Sequence, residues 1–261
     1  MCSNYRPVTR LDRLLTFFGV ERARDEPSLD VFPLGLAPFI RLRRTKPAEA
    51  DRPEGRRGAP TIERVVEDGI FGLLPHFATE VAFGRKTYNA RSETVAVLAS
   101  FRQAWRAGQR CIVPAECIFE PSFETGTAVR WRIGQAGEVP IGIAGIYATW
   151  RHPDGREMSS FAMLTVNADG HPLMQRFHRP GDEKRMVVIL APEDYAAWLS
   201  CPVVEAPRFF KRWEGPLEAS PEALPPRVHG AGSVRTTRPP APRPAKPPRP
   251  PQEGETGDLF G

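Results

Sequence analysis

The feature that most restricts how this chain folds is a proline-rich segment over residues 216–251, with runs such as RPPAPRPAKPPRPP. Such a segment has too little apolar surface to form a core, and its prolines favour the extended polyproline II conformation. We therefore predict one globular domain over residues 2–213 and a disordered, basic tail over residues 214–261. A second polar stretch, residues 41–60, is predicted to be a long basic surface loop within the domain.

Net charge and the distribution of apolar residues indicate the kind of partner and the cellular compartment. The 261 residues carry a formal net charge of +5, and a basic surface favours polyanionic partners because lysine and arginine release counterions from phosphates. The sequence has no apolar run of about 18 residues, the length that spans a bilayer. The N-terminal sequence MCSNYRPVTRLDRLL has no secretory signal. We therefore expect a cytoplasmic protein without a membrane segment.

The cysteines do not form a metal-binding pattern. Cys2, Cys111, Cys117 and Cys201 include no C-x-x-C pair, and no histidine follows at the spacing of a zinc ligand. No metal or other cofactor is therefore predicted. Reduced, buried thiols are the ordinary interpretation for cytosolic cysteines. This interpretation suits Cys2 poorly, because the extreme terminus of a chain is seldom a core position.

Short strands with few helices dominate the pattern of the domain. An amphipathic helix is predicted over residues 93–107, because Val97, Leu98, Phe101 and Trp105 form an apolar stripe at helical spacing. A short helix with an early proline is predicted over residues 192–199. Without regular strand–helix alternation, the pattern favours an α+β domain or a barrel-like sheet over a doubly wound fold. The predicted strands are 65–74, 111–119, 129–133, 141–150, 161–166 and 185–190, with a turn at 152–155.

Cys2 has two nucleophiles on one carbon framework once Met1 is removed, an α-amine and a thiol. The α-amine has an ordinary pKa of about 8, so part of it is neutral at physiological pH and can attack an aldehyde to give a Schiff base. The adjacent thiol can then close a thiazolidine ring in an intramolecular step. The alternative interpretation is that a cysteine stands at the second position without a role.

Two further segments carry polar side chains suited to chemistry. In the segment YNARSET, Asn89 offers an amide and Arg91 offers a forked cation that suits phosphate, although Ser92 or Glu93 as a helix cap explains the segment equally. At the end of the predicted strand 111–119, Glu120 is a candidate acid or base. A salt bridge to a neighbouring arginine is the alternative interpretation of Glu120.

The candidate histidine is His178, which precedes a predicted strand in a basic loop, a suitable place for a proton donor near a phosphate backbone. His76 and His171 are the other candidates. A surface histidine without a function is the alternative for His178.

Five motifs in order resemble the SOS-response-associated peptidase (SRAP) family, whose pattern is MCGR, W-G-L-x-P, N-A-R-x-E-T, P-A-x-G-F/Y-Y-E-W and H-x-R-M-P. The resemblance covers roughly residues 2–200. The chain has MCSN at 1–4, FGLLP at 71–75, NARSET at 89–94, PAECIFEP at 114–121, and His178 followed by Arg185 and Met186.

The resemblance implies a fold and a role for each residue. It implies a compact α+β domain around a β-barrel-like, mostly antiparallel sheet, with a basic channel for single-stranded DNA. Cys2 would form a thiazolidine with the ring-opened abasic sugar, and Asn89 would orient the cysteine or the sugar. Glu120 would assist proton transfer, His178 would protonate the sugar oxygen, and Arg91 would grip a phosphate.

The chain also departs from the family pattern. The departures are Ser3 and Asn4 for Gly-Arg, Phe71 and Pro121 for tryptophans, Cys117 for glycine, and residues 179–184 inserted between His178 and Arg185. Because Phe71 keeps a ring, we expect it to stack on a base. The residues predicted to contact DNA are Asn4, Phe71, Pro75, Arg91, Arg179 and Arg185.

The resemblance implies a monomeric, nucleoid-associated protein of the DNA damage and SOS responses. Its partner would be single-stranded DNA with abasic sites, joined in a lyase-like covalent linkage. Peptidase (hydrolase) activity would be limited to self-processing. Two alternatives stay open: a thiol peptidase, and a single-stranded DNA-binding module that has lost the chemistry. The segment from Glu255 to Phe260, ETGDLF, faintly resembles peptides that dock on bacterial sliding clamps.

Overall fold

The computed structural model describes residues 2–23, 26, 29–45, 61–152 and 154–224. Several predictions lie outside these residues: the loop over residues 46–60, the disorder of the tail beyond residue 224, the clamp-docking peptide and the state of Met1.

The described residues form one large sheet with three α-helices around it. The helices are α1 (Leu11–Phe18), α2 (Ala99–Arg106) and α3 (Tyr195–Ser200). None of the described helices has the length and apolar character that a membrane crossing requires. The strands are β1 (Asn4–Pro7), β2 (Leu36–Thr45), β3 (Thr61–Phe71), β4 (Asn89–Arg91), β5 (Arg110–Ser122), β6 (Val129–Gln135), β7 (Ile141–Arg151), β8 (Glu157–Asn167), β9 (Arg185–Val187), β10 (Ile189–Leu190) and β11 (Leu217–Pro221).

Five of these strands close a ring. β7 pairs with β8, β8 with β3, β3 with β2, and β2 with β5, and β5 pairs in turn with β7. The pairings of β8 with β3 and β4 are parallel, and the other pairings are antiparallel. The predicted α+β fold with a barrel-like, mostly antiparallel sheet is confirmed.

The core packs on the strands of this ring, which carry buried apolar residues on both faces, and it extends to the helices. Nearly every residue of β5 is buried, and β7 and β8 are buried over most of their length. Phe161 contacts Phe39 and Phe71, with ring centroids 5.5 and 5.6 Å apart. Burying each such side chain contributes about 1.5–3 kcal/mol to stability, so the ring is the main source of the stability of the fold.

The predicted helix over residues 93–107 is shorter than expected. Residues 92–97 form turns, and α2 begins only at Ala99, after an extended Leu98. Val97 and Leu98, assigned to the apolar stripe, are 66% and 48% exposed. The helix prediction is right for the part of the apolar stripe that is buried, which includes Phe101 and Trp105.

The start of the predicted loop and the end of the predicted domain also differ from the sequence prediction. Residues 41–45 belong to β2 and not to a loop. They pair with β3, and Arg41 and Arg43 form ion pairs with Glu67 and Glu63 of that strand. The domain extends past residue 213, because β11 pairs with β6 along one edge of the sheet. An edge strand tolerates Pro221, since a proline there removes no hydrogen bond that the sheet needs.

Candidate functional site

The first strand delivers Cys2 to the end of β5. β1 is antiparallel to β5, with Asn4 opposite Phe119, so the residues before β1 lie beside Glu120. Cys2 is 1% exposed, and its Sγ donates a hydrogen bond to the main-chain oxygen of Asn4 at 3.4 Å. The thiol is therefore inside the protein, next to a carboxylate.

Asn89 fixes the main chain of Cys2. It is the first residue of β4, which runs parallel to β8, and its Nδ2 donates to the main-chain oxygen of Cys2 at 2.8 Å. Its Oδ1 is buried and has no hydrogen-bond partner among the described residues. A buried acceptor without a partner is costly, so this atom is available to a donor group on a ligand.

Glu120 and His178 form a buried pair. The Nε2 of His178 lies 3.0 Å from Oε2 of Glu120, and the two residues are 9% and 2% exposed. His178 has a φ of +66°, a left-handed conformation that costs free energy in a residue with a Cβ. Its main-chain N–H donates to the oxygen of Pro121 at 2.9 Å. The end of β5 thus holds the imidazole in place at the expense of local strain.

Burial and charge keep the Cys2 thiol protonated. Burial raises the pKa of this thiol far above its ordinary value, and the negative charge of Glu120 raises it further. Burial also raises the pKa of Tyr88, and the negative charge of Glu120 raises it further. Tyr88 therefore belongs to the same site, although the sequence analysis assigned it no role. Its position directly before Asn89 was the available signal.

A second residue that sequence reasoning missed is Arg130. Its Nε donates to Oδ1 of Asn4 at 2.9 Å, and its guanidinium lies 3.3 Å from the centroid of the Phe119 ring. It also pairs with Asp30. Arg130 therefore clamps the first strand two residues from Cys2. No sequence motif surrounds it.

Within the part of the chain that the structure describes, no three histidine, cysteine, aspartate or glutamate side chains are grouped as a metal ion would require.

A family model described as SOS response associated peptidase (SRAP) matches residues 1–220. The chain belongs to the SRAP family. Curated relatives of this SRAP chain include the abasic site processing protein YoqW of Bacillus subtilis (strain 168), 31% identical over 131 residues, which are 50% of this chain and 55% of the relative. The abasic site processing protein HMCES of Gallus gallus is 26% identical over 175 residues, 57% of this chain and 48% of the relative. The chain thus spans about half the length of the curated relatives it matches.

Solved structures share the SRAP fold. A protein from Bordetella bronchiseptica is 35% identical, with a TM-score of 0.73 over 85% of this chain and 100% of that chain. A protein from Bacteroides thetaiotaomicron, 22% identical, has a TM-score of 0.65 over 84% of this chain and 90% of its own.

Four of the predicted DNA contacts are buried in this SRAP domain. Asn4 is hydrogen-bonded to Arg130 and Val31, Phe71 is packed among aromatic rings, and Arg185 is 2% exposed and paired with acidic side chains. Pro75 is buried as well. In this structure the four side chains pack inside the domain, as those of Cys2 and Glu120 also do, and their contact with DNA stays a prediction.

Arg91 and Arg179 are exposed, as a phosphate contact requires. Arg91 pairs with Glu183 at 2.9 Å, and Arg179 lies over the ring of Phe123, 5.7 Å from its centroid. Their contact with DNA stays a prediction.

Proposed function

We propose that this SRAP protein captures abasic sites in single-stranded DNA through a covalent bond to Cys2. The observation that carries the proposal is the convergence of Cys2, Asn89, Glu120 and His178 in one buried place. Asn89 lies 87 positions from Cys2, and His178 lies 58 from Glu120. The named activity of the curated relatives, abasic site processing, supports the same function.

In the proposed reaction, removal of Met1 frees the α-amine of Cys2, which attacks the aldehyde carbon of the ring-opened abasic sugar. Loss of water leaves an imine. The Cys2 sulfur then adds to the imine carbon, the thiol proton passes to the nitrogen, and a thiazolidine ring closes. Because both nucleophiles belong to one residue, the second addition has a high effective concentration.

Glu120 and His178 would move the protons of this reaction. A thiol with a raised pKa attacks poorly until a base takes its proton, and Glu120 is the carboxylate beside it. Glu120 would return that proton to the nitrogen. His178, held 3.0 Å from Glu120, would protonate the ring oxygen of the sugar as the ring opens. The buried Oδ1 of Asn89 would accept a hydrogen bond from a sugar hydroxyl or from the α-amine.

A thiol peptidase acting on other proteins is less well supported. Such enzymes use a thiolate whose pKa is lowered by a neighbouring cation. Here the pKa of the Cys2 thiol is raised, and its Sγ donates to the main-chain oxygen of Asn4. An amine-first reaction with an aldehyde does not need a thiolate in its first step.

The test is covalent capture on a denaturing gel. Purified protein, shown by mass spectrometry to lack Met1, is incubated with single-stranded DNA that carries one abasic site or only intact bases. We expect a stable shifted band for the abasic strand alone. Cys2→Ala keeps the α-amine but not the thiol, so we expect its band only after borohydride reduction of the imine.

The outcomes separate the alternatives. If the wild-type band appears only after borohydride reduction, the protein forms an imine through its amine but does not close a thiazolidine. No band under either condition, with binding to intact and abasic strands equal, would leave a single-strand-binding module without chemistry.

A further inference from the structure

Glu183 bridges two arginines at the edge of the site. Its Oε2 lies 2.9 Å from Nη1 of Arg91, and its Oε1 lies 2.5 Å from Nη1 of Arg185. The Nδ2 of Asn167 also donates to Oε1 at 3.3 Å. One carboxylate thus connects the ends of β4, β8 and β9.

The segment that supplies Glu183 is the insertion that the family pattern lacks, residues 179–184. It folds back on itself: the N–H of Asp182 donates to the oxygen of Arg179 at 3.1 Å, and Nζ of Lys184 donates to the same oxygen at 2.9 Å. These contacts present the Glu183 carboxylate to Arg91. The contact is therefore a feature of this chain and not of the family motifs.

The two arginines differ in exposure and in the number of partners they have besides Glu183. The side chain of Arg185 is 2% exposed and is also bound by Glu93 at 2.9 Å and by Thr165. The side chain of Arg91 is 48% exposed and that of Glu183 is 37% exposed. The ion pair between Arg91 and Glu183 is open to water, so Arg91 can exchange this carboxylate for another anion. Arg185 stays paired with Glu93 when that exchange takes place.

Glu183 is ionised at neutral pH. Its limited burial disfavours the charged form, but hydrogen bonds from Arg185 and Asn167, with the charges of Arg185 and Arg91, hold the pKa of Glu183 below its ordinary value. A carboxylate and a phosphate present similar oxygen pairs to a guanidinium. Both anions therefore compete for one face of Arg91.

We propose that Glu183 is a built-in competitor for the backbone phosphate: it occupies Arg91 in the free protein and must be displaced when single-stranded DNA binds. The inference rests on the proposed function. Glu183 lowers the affinity for any single strand, so that retention of a strand depends more on covalent capture of an abasic sugar. Glu183 is a specificity-determining residue in this scheme and takes no part in the chemistry.

The experiment measures binding of an intact single strand by fluorescence anisotropy for wild type and Glu183→Gln. We expect Glu183→Gln to bind about two- to fivefold more tightly, the range of an exposed ion pair. The gain should shrink as salt rises, because screening weakens the competing pair. On an abasic strand, the concentration for half-maximal capture should fall while the maximal capture rate stays the same.

A double-mutant cycle separates competition from simple loss of negative charge. In an Arg91→Ala background, Glu183→Gln should give no gain in affinity, because no guanidinium is left to compete for. Glu205→Gln is the matched control, since Glu205 forms an exposed pair with Arg208 at 2.9 Å and should leave affinity unchanged. Glu183→Ala provides a second variant with the same expectation.

The inference is wrong if Glu183→Gln and Glu183→Ala bind the intact single strand no more tightly than wild type. It is also wrong if Glu183→Gln still raises the affinity in the Arg91→Ala background. The proposed function fails separately, if wild type neither binds single strands nor captures the abasic site.

Discussion

At the residue scale, two effects act in the same direction to raise the pKa of the Cys2 thiol. It is 1% exposed, and Glu120 places negative charge beside it, so the pKa of the thiol is raised. A protein that displayed a thiolate would react with many electrophiles. In the proposed reaction, a protonated thiol next to a base reacts when an imine forms within reach, so we expect selectivity to depend on Glu120.

Glu120→Gln removes the base and keeps the shape of the side chain. We expect capture of an abasic strand at saturating DNA to slow about a hundredfold, the typical contribution of general acid–base catalysis. Quenched time points on a denaturing gel measure this rate. Glu124→Gln is the control, because Glu124 is a nearby exposed carboxylate paired with Arg176 at 2.9 Å. Equal rates for Glu120→Gln and wild type would rule out a proton-transfer role.

At the element scale, the exit from β3 depends on a glycine. Gly72 has a φ of +133°, which side-chain-bearing residues rarely adopt, and a Cβ there would lie 2.3 Å from the main-chain oxygen of Gly84. Gly84 lies in the 3₁₀ helix Val81–Lys86, directly before the strand that begins with Asn89. The close approach of these two backbones therefore sets the path into β4 and the position of Asn89.

Gly72→Ala should lower the free energy of unfolding by about 3 kcal/mol, since it combines backbone strain with a steric clash. Urea denaturation measures this loss. Gly126→Ala is the matched control: its φ is +81°, but nothing lies within 4 Å of the added Cβ, so only the strain of about 1 kcal/mol is expected. A loss no larger than that of the control would mean that the two backbones separate easily.

At the scale of the whole molecule, one charge network joins distant parts of the domain. Asp30 pairs with Arg6 at 3.0 Å and with Arg130, and Glu222 pairs with Arg6 at 2.7 Å. These residues come from β1, β6, the segment before β2 and the chain just after β11. The network holds the first strand, and with it Cys2, against β5.

Arg130→Ala should destabilise the domain by about 2 kcal/mol. The change leaves Asp30, only 9% exposed, with Arg6 as its partner, and it removes the nearer of the two cations over the Phe119 ring. Thermal or chemical unfolding provides the measurement. Arg208→Ala, which breaks an exposed pair, should change stability by less than about 0.5 kcal/mol. If the two variants lose equal stability, the network does not hold the domain together.

The sequence predicts elements well where burial is continuous and local. The apolar runs of β5 and β7 are mostly buried, and the main-chain N–H of Gly155 donates to the oxygen of His152 where a turn is predicted. The helix over residues 93–107 was too long because apolar spacing does not show which residues meet the sheet: Val97 and Leu98 face solvent. The three residues of β4 carry no strand signal, since their pairing with β8 is made at long range.

Motif order alone was enough to place this chain in the SRAP family and to name Cys2, Asn89, Glu120 and His178 as the candidate site. This was possible because the type of each residue, which the sequence gives directly, determines the chemistry that its side chain can perform. Only the tertiary structure decided how those atoms meet, that Phe71 and Arg185 are buried, and that Glu183 occupies Arg91. These contacts join residues far apart in the chain, and pairing and burial at such distances are set by how the sheet closes, which no local pattern encodes.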